Sequence, residues 1–347
     1  MTVVNGNLIL GSTILKRNSK IVTVTYNLKD CVCSSTASTI VFNSRFQATI
    51  KSLTPLAYCG VQVLMGNKDI TADVYDIYTG TVNISSVKSN IIINAETLTT
   101  FEEASWYAVK CVAQSNILNN EDALYNLSWR LGDTKELYID GAKYLVRICD
   151  LTPNRYQYVD NSERYSNMVL ECVELFSVAQ PRHTDYNGNY KTSNIRLYYT
   201  DTVMPRLPQD LKDILSNVNI DICYFTSATT EGINDYSQDK IFMPSSLELG
   251  GENPYSLGKV YQYYETYLNS ARQKHKNGES TLVEWWTRTG GYVHNTSSGK
   301  TSGQVGVFSD INGNLWALQQ QFSNSNNDKF TASTVTIEKG VPIFWAW

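Results

Sequence analysis

The side chains that could do catalytic chemistry are few and scattered. His183, His275 and His294 are the only histidines, and none stands at a paired metal-binding spacing. There is no Gly-x-Ser-x-Gly elbow to activate a serine and no complete phosphate-binding P-loop. Glu284 and Asp310 could act as the acid and base of a glycosidase, which needs two carboxylates flanking the scissile bond. Two carboxylates occur in any chain, so the pair alone carries little. Calcium takes several carboxylate or carbonyl oxygens gathered in one loop, and the late loops hold Asp310 and Asp328 without a cluster of acids. The expectation is a protein that is not an enzyme and requires neither metal nor cofactor.

What remains is the chemistry of recognition. Charged residues make up only 18%, tyrosines number 23, and the apolar fraction of 42% is enough for real cores. Tyrosine among Ser, Gly and Asn supplies contact area at low entropic cost, although most tyrosines in a β-rich chain simply fill strands. Polar and aromatic residues are spread along the late loops at Tyr292, His294, Asn295, Asp310, Asn312, Asn314, Trp316, Gln319, Gln321, Asn324 and Asn326. These are the candidate ligand-binding positions. A net charge of −4 and the absence of a basic cluster argue against a nucleic-acid partner. Seven cysteines are scattered, several in apolar runs such as Arg147-Ile148-Cys149, and Cys31-Val32-Cys33 fits neither a zinc nor a redox spacing. Buried free thiols and folding in a reducing cytoplasm are expected. Met1 to Asn5 lacks the basic segment and apolar run of an export signal, and no span long enough for membrane insertion stands out.

At 347 residues the chain is long enough for two or three domains. Residues 1–18, with breaks at Gly6 and Gly11, read as a short attachment segment. Residues 19–96 read as all-β. Ile21 to Tyr26 and Phe46 to Ile50 alternate with period two, Gly60 to Gly66 forms a further strand, Asn67 to Asp69 a turn, and Thr81 to Ile84 and Asn90 to Asn94 the closing strands. From Thr99 the period changes. Phe101, Ala104, Val109, Val112 and Ala113 predict a helix capped by Thr99 or Thr100, with Glu102 and Glu103 in its first turn. Asp140-Gly141 between Lys135–Ile139 and Lys143–Ile148 predicts a hairpin. Further helices are expected over Pro208–Asn217, with Leu211, Ile214 and Leu215 inward, and over Lys259–Gln273, where Val260, Tyr263, Tyr264, Tyr267 and Leu268 are the apolar positions. The remainder reads as polar loop broken by short strands at Gly306–Phe308, Asn314–Ala317 and Val341–Phe344.

Two stretches carry family resemblances. Val24–Asp30, Phe46–Ile50, Val61–Thr71 and Gly80–Ala95 resemble an immunoglobulin-like module of phage and gut-bacterial surface proteins. The Met65-Gly66-x-x-Asp69-Ile70-Thr71 run is its most specific match, and Ala57-Tyr58-Cys59 departs from the Gly-Tyr expected there. Over about 250 residues beyond Leu98, an ordered series of pieces resembles an uncharacterised family of the C-type-lectin-like class. The pieces are Ser105-Trp106, Gly132–Lys135, Tyr144–Ile148, Asn194–Leu197, Leu207–Leu211, Asp239–Ser245, Tyr263–Glu265, Trp285-Trp286-Thr287-Arg288 and Gly340–Phe344. Thr287 and Thr289 stand where Leu and Ser are usual, and the closing motif lacks its arginine.

The resemblances imply a mostly β chain with a few helices (α+β), an immunoglobulin-like β-sandwich followed by a C-type-lectin-like domain over residues 97–347. They imply that Trp106, Trp285, Trp286 and Arg288 are buried pegs and that the loops between them choose the ligand. The calcium-dependent sugar motifs of true C-type lectins are not met: Glu252-Asn253-Pro254 is in the wrong order, and Ala317 follows Trp316. The expected role is a bacteriophage virion protein, assembled in the host cytoplasm and displayed on the particle as a short spike, collar or head fibre, or decoration subunit. Its expected partners are other virion proteins (capsid, collar or tail), further copies of itself, and a host-surface glycan or protein. Two rival expectations are a purely structural cementing subunit and a glycan-degrading enzyme.

Overall fold

The computed structural model describes residues 2–4, 7–10, 13–15, 20–119, 127–159, 164–182, 189–224, 233–251, 257–290, 293–295, 300–323, 338–339 and 344–346. The chain is mostly β with a few short helices. It falls into two compact units.

The first unit contains the chain up to Thr99 together with Tyr107–Ser115. Strands Thr2–Val4, Asn7–Leu10 and Thr13–Leu15 form an antiparallel meander. The sandwich that follows has two sheets. One pairs Tyr75–Asp76, Thr81–Ile84, Phe46–Ser52 and Cys31–Cys33 in that order. The other runs Thr39–Val41, Ile21–Lys29, Ile91–Thr97, Cys59–Met65 and Lys68–Asp69. Alternation in the sequence produces this: Val22 and Val24 point inward from one sheet, Phe46, Ala48 and Ile50 from the other, and all join one core with Val61, Val63, Ile91 and Ile93. Ile21–Lys29 and Ile91–Thr97 lie parallel, with Val24 opposite Ile91 and Lys29 opposite Glu96. The expected turn at Asn67–Asp69 sits one residue earlier, on Gly66 and Asn67, and Lys68–Asp69 already pair as a strand.

The helix expected after Thr99 begins later, at Trp106, and ends at Ser115. Thr100 instead accepts the Glu103 amide at 3.3 Å in a separate turn, so neither threonine caps the helix and the two glutamates precede it. Sequence reading grouped this helix with the C-terminal domain from residue 97. Its stretch Tyr107–Ser115 packs into the first unit because Ala108, Val109, Val112 and Ala113 form a continuous buried face. Gly60 permits the approach: a Cβ there would stand 2.5 Å from that of Ala108.

The second unit, taken by itself, is built on an antiparallel sheet of Thr134–Ile139, Ala142–Asp150, Val169–Cys172 and Phe344–Ala346. Asp140 (φ 50) and Gly141 (φ 80) turn the first hairpin as the Asp-Gly signal requires. A second hairpin joins Val218–Tyr224 to Ile233–Asp239. The short strands expected at Gly306–Phe308 and Asn314–Ala317 fall in a longer hairpin, Lys300–Ser309 with Leu315–Ser323, to which Trp285–Trp286 and Val293–Asn295 add. The one expected at Val341–Phe344 lies outside the described residues except for Phe344, which opens the strand Phe344–Ala346. Helix Gln209–Ile214 buries Leu211 and Ile214, with Leu215 just beyond it, as expected. Helix Gln262–Arg272 buries Tyr264 but is interrupted at Leu268 (φ 38, ψ −122), which leaves Tyr267 and Leu268 exposed. A short helix over Asn194–Tyr198 continues through a π turn to Met204–Arg206, and no periodic apolar pattern announced it. The core gathers Tyr156, Val169, Val218, Phe242, Leu249, Tyr261, Tyr264, Trp285 and Phe344.

Candidate functional site

Trp285–Trp286 pairs with Phe308 and Ser309 of the long hairpin, which places both indoles inside. The Trp285 indole N–H donates to the Arg272 carbonyl at 2.8 Å, and Trp286 meets Phe308 edge to face. Arg288 is only 2% exposed. A buried guanidinium must be matched by charge and acceptors, and it is. It makes a two-pronged pair with Glu248 at 2.5 Å and donates to the Met243 and Asp221 carbonyls at 2.8 and 2.9 Å. Glu248 also accepts from the Tyr156 and Tyr261 hydroxyls and from the Ser245 amide. Burial alone would raise this carboxyl, but the Arg288 charge and the hydrogen bonds prevail and hold it below the usual glutamate range. Arg182, also buried, donates to the carbonyls of Thr287, Arg288 and Thr289, so two arginines fix the chain that leaves the tryptophan pair.

A second buried knot centres on Glu171. It accepts from Arg147 at 2.5 Å, Lys274 at 2.9 Å and the Tyr264 hydroxyl at 2.9 Å. Burial raises the Glu171 carboxyl, and the Arg147 and Lys274 charges more than offset it, leaving it below its ordinary range. Arg147 also stacks on the Tyr263 ring, 3.8 Å from its centroid. These knots orient the frame, and their charges are consumed in doing so.

One loop of the described residues is held rigid yet faces solvent. Asp310 accepts the Asn312 and Asn314 amides on one oxygen, at 2.8 Å each, and the Asn314 side chain and Trp316 indole N–H on the other. An aspartate bonding the backbone just ahead of it is the chemistry of an Asx turn. Burial raises Asp310, but the donors from Asn314 and Trp316 outweigh it and hold the carboxyl low. Gly313 (φ 81) completes the turn, and a Cβ there would fall 2.1 Å from the Asn269 carbonyl oxygen. Arg272 ties the loop down, donating to the Gly313 carbonyl and to those of Leu249 and Gly250. The outcome is an indole that is 55% exposed but fixed through its N–H, beside exposed Ile311 and Asn312.

The expected pegs Trp106, Trp285, Trp286 and Arg288 are all buried, and the Lys135 ammonium lies over the Trp106 ring. Of the expected loop positions, Asp310, Asn312, Asn314 and Trp316 come together in the turn just described. Asp310 is its anchor, its carboxylate accepting from Asn312, Asn314 and Trp316 of the loop itself. His294 and Asn295 lie on a strand paired to Ser302 and Thr301, and Gln319 and Gln321 on a strand paired to Gln304 and Ser302, where loop had been expected. Tyr292, Asn324 and Asn326 lie outside the described residues. Glu284 pairs with Lys339, whose ammonium sits 3.8 Å from the Phe308 centroid. Both carboxylates of the possible glycosidase pair are therefore engaged. Among the described residues no three His, Cys, Asp or Glu side chains gather to hold a metal ion, and no helix is long and apolar enough to cross a membrane.

Sequence reasoning missed Glu248, Glu171 and Arg182. Glu248 had a signal, since a buried arginine expected as a peg demands a buried acid, but many acids could have met that demand.

Residues 166–317 match a family described as a domain of unknown function, DUF6273. The matched stretch contains Glu171, Glu248, Arg288 and the Asp310–Trp316 turn. No curated protein and no solved structure matches the chain.

Proposed function

We propose that this chain is a non-enzymatic surface protein of a bacteriophage virion that binds a host-surface glycan or protein through the loop carrying Trp316. The observation that supports this most is the fixed, solvent-facing indole. Tryptophan is among the residues most enriched at energetic hot spots, and immobilising it beforehand removes ordering entropy from the cost of binding. The exposed Asn312 side chain beside it adds a polar group of the kind adaptable binding surfaces use. The sandwich and the N-terminal meander serve in this reading as the attachment to other virion proteins or to further copies of the chain. The virion setting rests on the sequence resemblances, and the lectin-like reading of the second unit is supported by its N- and C-proximal strands lying in one sheet.

The test is adsorption of purified protein to susceptible host cells, with Trp316→Ala beside the wild type. Loss of a hot-spot indole is expected to cost about 2 kcal/mol, roughly thirtyfold in Kd, with an unchanged circular dichroism spectrum. Equal binding by the variant removes Trp316 from the site. No binding by the wild type, together with normal adsorption of virions lacking the protein, leaves the cementing role. Sugar release dependent on Glu284 or Asp310 restores the enzyme reading.

A further inference from the structure

The seven cysteines carry no disulfide among them, yet two of their sulfurs meet. Asp30, at φ 54, turns the chain out of the five-stranded sheet and into strand Cys31–Cys33 at the edge of the four-stranded one. Cys59 opens a strand of the opposite sheet. Their Sγ atoms stand 3.4 Å apart inside the sandwich, at 7% and 4% exposure. A disulfide has its sulfurs about 2.05 Å apart, so a displacement of about 1.4 Å shared between two side chains separates the present contact from a covalent bond. The Thr97 hydroxyl lies 3.6 Å from the Cys31 sulfur. Cys59 and then Thr97 draw the Cys31 thiol below its ordinary range, against burial and the nearby Asp30 and Glu96. Burial pushes Cys111, on the helix packed against this sandwich, up to about 12. Cys31 and Cys59 are thus two thiols within reach of each other.

We propose that Cys31 and Cys59 form an oxidative modification site, a thiol pair that a small peroxide converts into a disulfide stapling the two sheets of the first unit. The Cys31 thiolate attacks a peroxide oxygen, the O–O bond breaks, and Cys31 becomes a sulfenic acid with hydroxide as the leaving group. The Cys59 sulfur then attacks the Cys31 sulfur, the S–O bond breaks, and the hydroxyl leaves as water with the Cys59 proton. Two thiols lose two electrons, and one peroxide is reduced to two waters. The chain would thus fold with free thiols in a reducing cytoplasm and harden after release into oxidising surroundings. This inference does not depend on what the second unit binds.

The experiment treats the full chain with hydrogen peroxide, quenches it, and reads intact mass, tryptic peptides and calorimetric unfolding. The expected result is loss of two hydrogens and a covalent link between peptides Asp30–Arg45 and Ser52–Lys68, with fragmentation between Cys31 and Cys33 assigning the bond to Cys31. The first unit's transition should rise by roughly 10 °C and fall back on reduction. Cys31→Ser and Cys59→Ser should each abolish link and shift, while Cys33→Ser keeps both. A chain that stays fully reduced when its urea-unfolded form is readily oxidised would overturn the proposal. A link through Cys33 or Cys111, or a shift that survives Cys31→Ser, would do the same.

Discussion

Glu248→Gln is the sharpest test of how the second unit is held together. The carboxylate receives two prongs from Arg288, two tyrosine hydroxyls and one amide, all donors. A glutamine offers one oxygen to that ring of donors and turns an NH2 toward the rest, while the Arg288 guanidinium keeps its charge at 2% exposure. Breaking one side of a buried pair costs about 3–5 kcal/mol. For a unit of this size that lowers Tm by roughly 10 °C. The readout is convenient because all seven tryptophans lie at or after position 106, in the second unit. Urea unfolding followed by tryptophan emission therefore reports chiefly on that unit, since only Trp106 adjoins a stretch packed into the first. The double variant Glu248→Met/Arg288→Met should recover much of the loss, since replacing a buried pair with apolar volume is often close to neutral. If Glu248→Gln unfolds within about 0.5 kcal/mol of wild type, the claim that this pair anchors the loops is wrong.

Acid should act through the same groups. Glu248 and Glu171 are held below their ordinary range, so their contribution is complete above the unfolded-state value of about 4.3 and is lost as pH falls through the lower folded-state values. Tryptophan-monitored stability should drop steeply below about pH 4; a flat profile through that region contradicts the assignment. Gly141→Ala and Gly313→Ala place alanine at nearly the same φ, 80 and 81. The first has open space around it and should cost about 1 kcal/mol, whereas the second drives a Cβ into the Asn269 carbonyl and should cost clearly more; equal urea midpoints would refute that distinction. Asp310→Ala should free the Trp316 ring, seen as faster amide exchange at Asn312 and Asn314 with little change in global stability.

The sandwich strands and the Asp140-Gly141 hairpin were legible because each follows a local rule, side-chain alternation in one case and a positive-φ turn in the other. Helix Trp106–Ser115 was legible in its apolar face but not in its start, since Thr99 and Thr100 offer the same hydroxyls to a turn as to a cap. Tyr267 and Leu268 fit a helical stripe that the break at Leu268 rotates outward, and nothing local marks that break. The loop of Asp310 to Trp316 was identified as polar and aromatic. That the aspartate serves the turn while the indole faces solvent depends on bonds whose pattern composition cannot give. Glu171 and Lys274 are partners across more than a hundred positions of chain, which no spacing rule reaches.

The parallel pairing of Ile21–Lys29 with Ile91–Thr97 has a mechanical consequence. A pull that draws the N-terminal end of the first strand away from the C-terminal end of the second runs along their shared axis in opposite senses. The evenly spaced bonds between them then share the load and must rupture together, whereas a hairpin loaded at its open end unzips one bond at a time. The sandwich is thus wired as a shear clamp, suited to stay folded under tension between whatever holds one end of it and whatever grips the other.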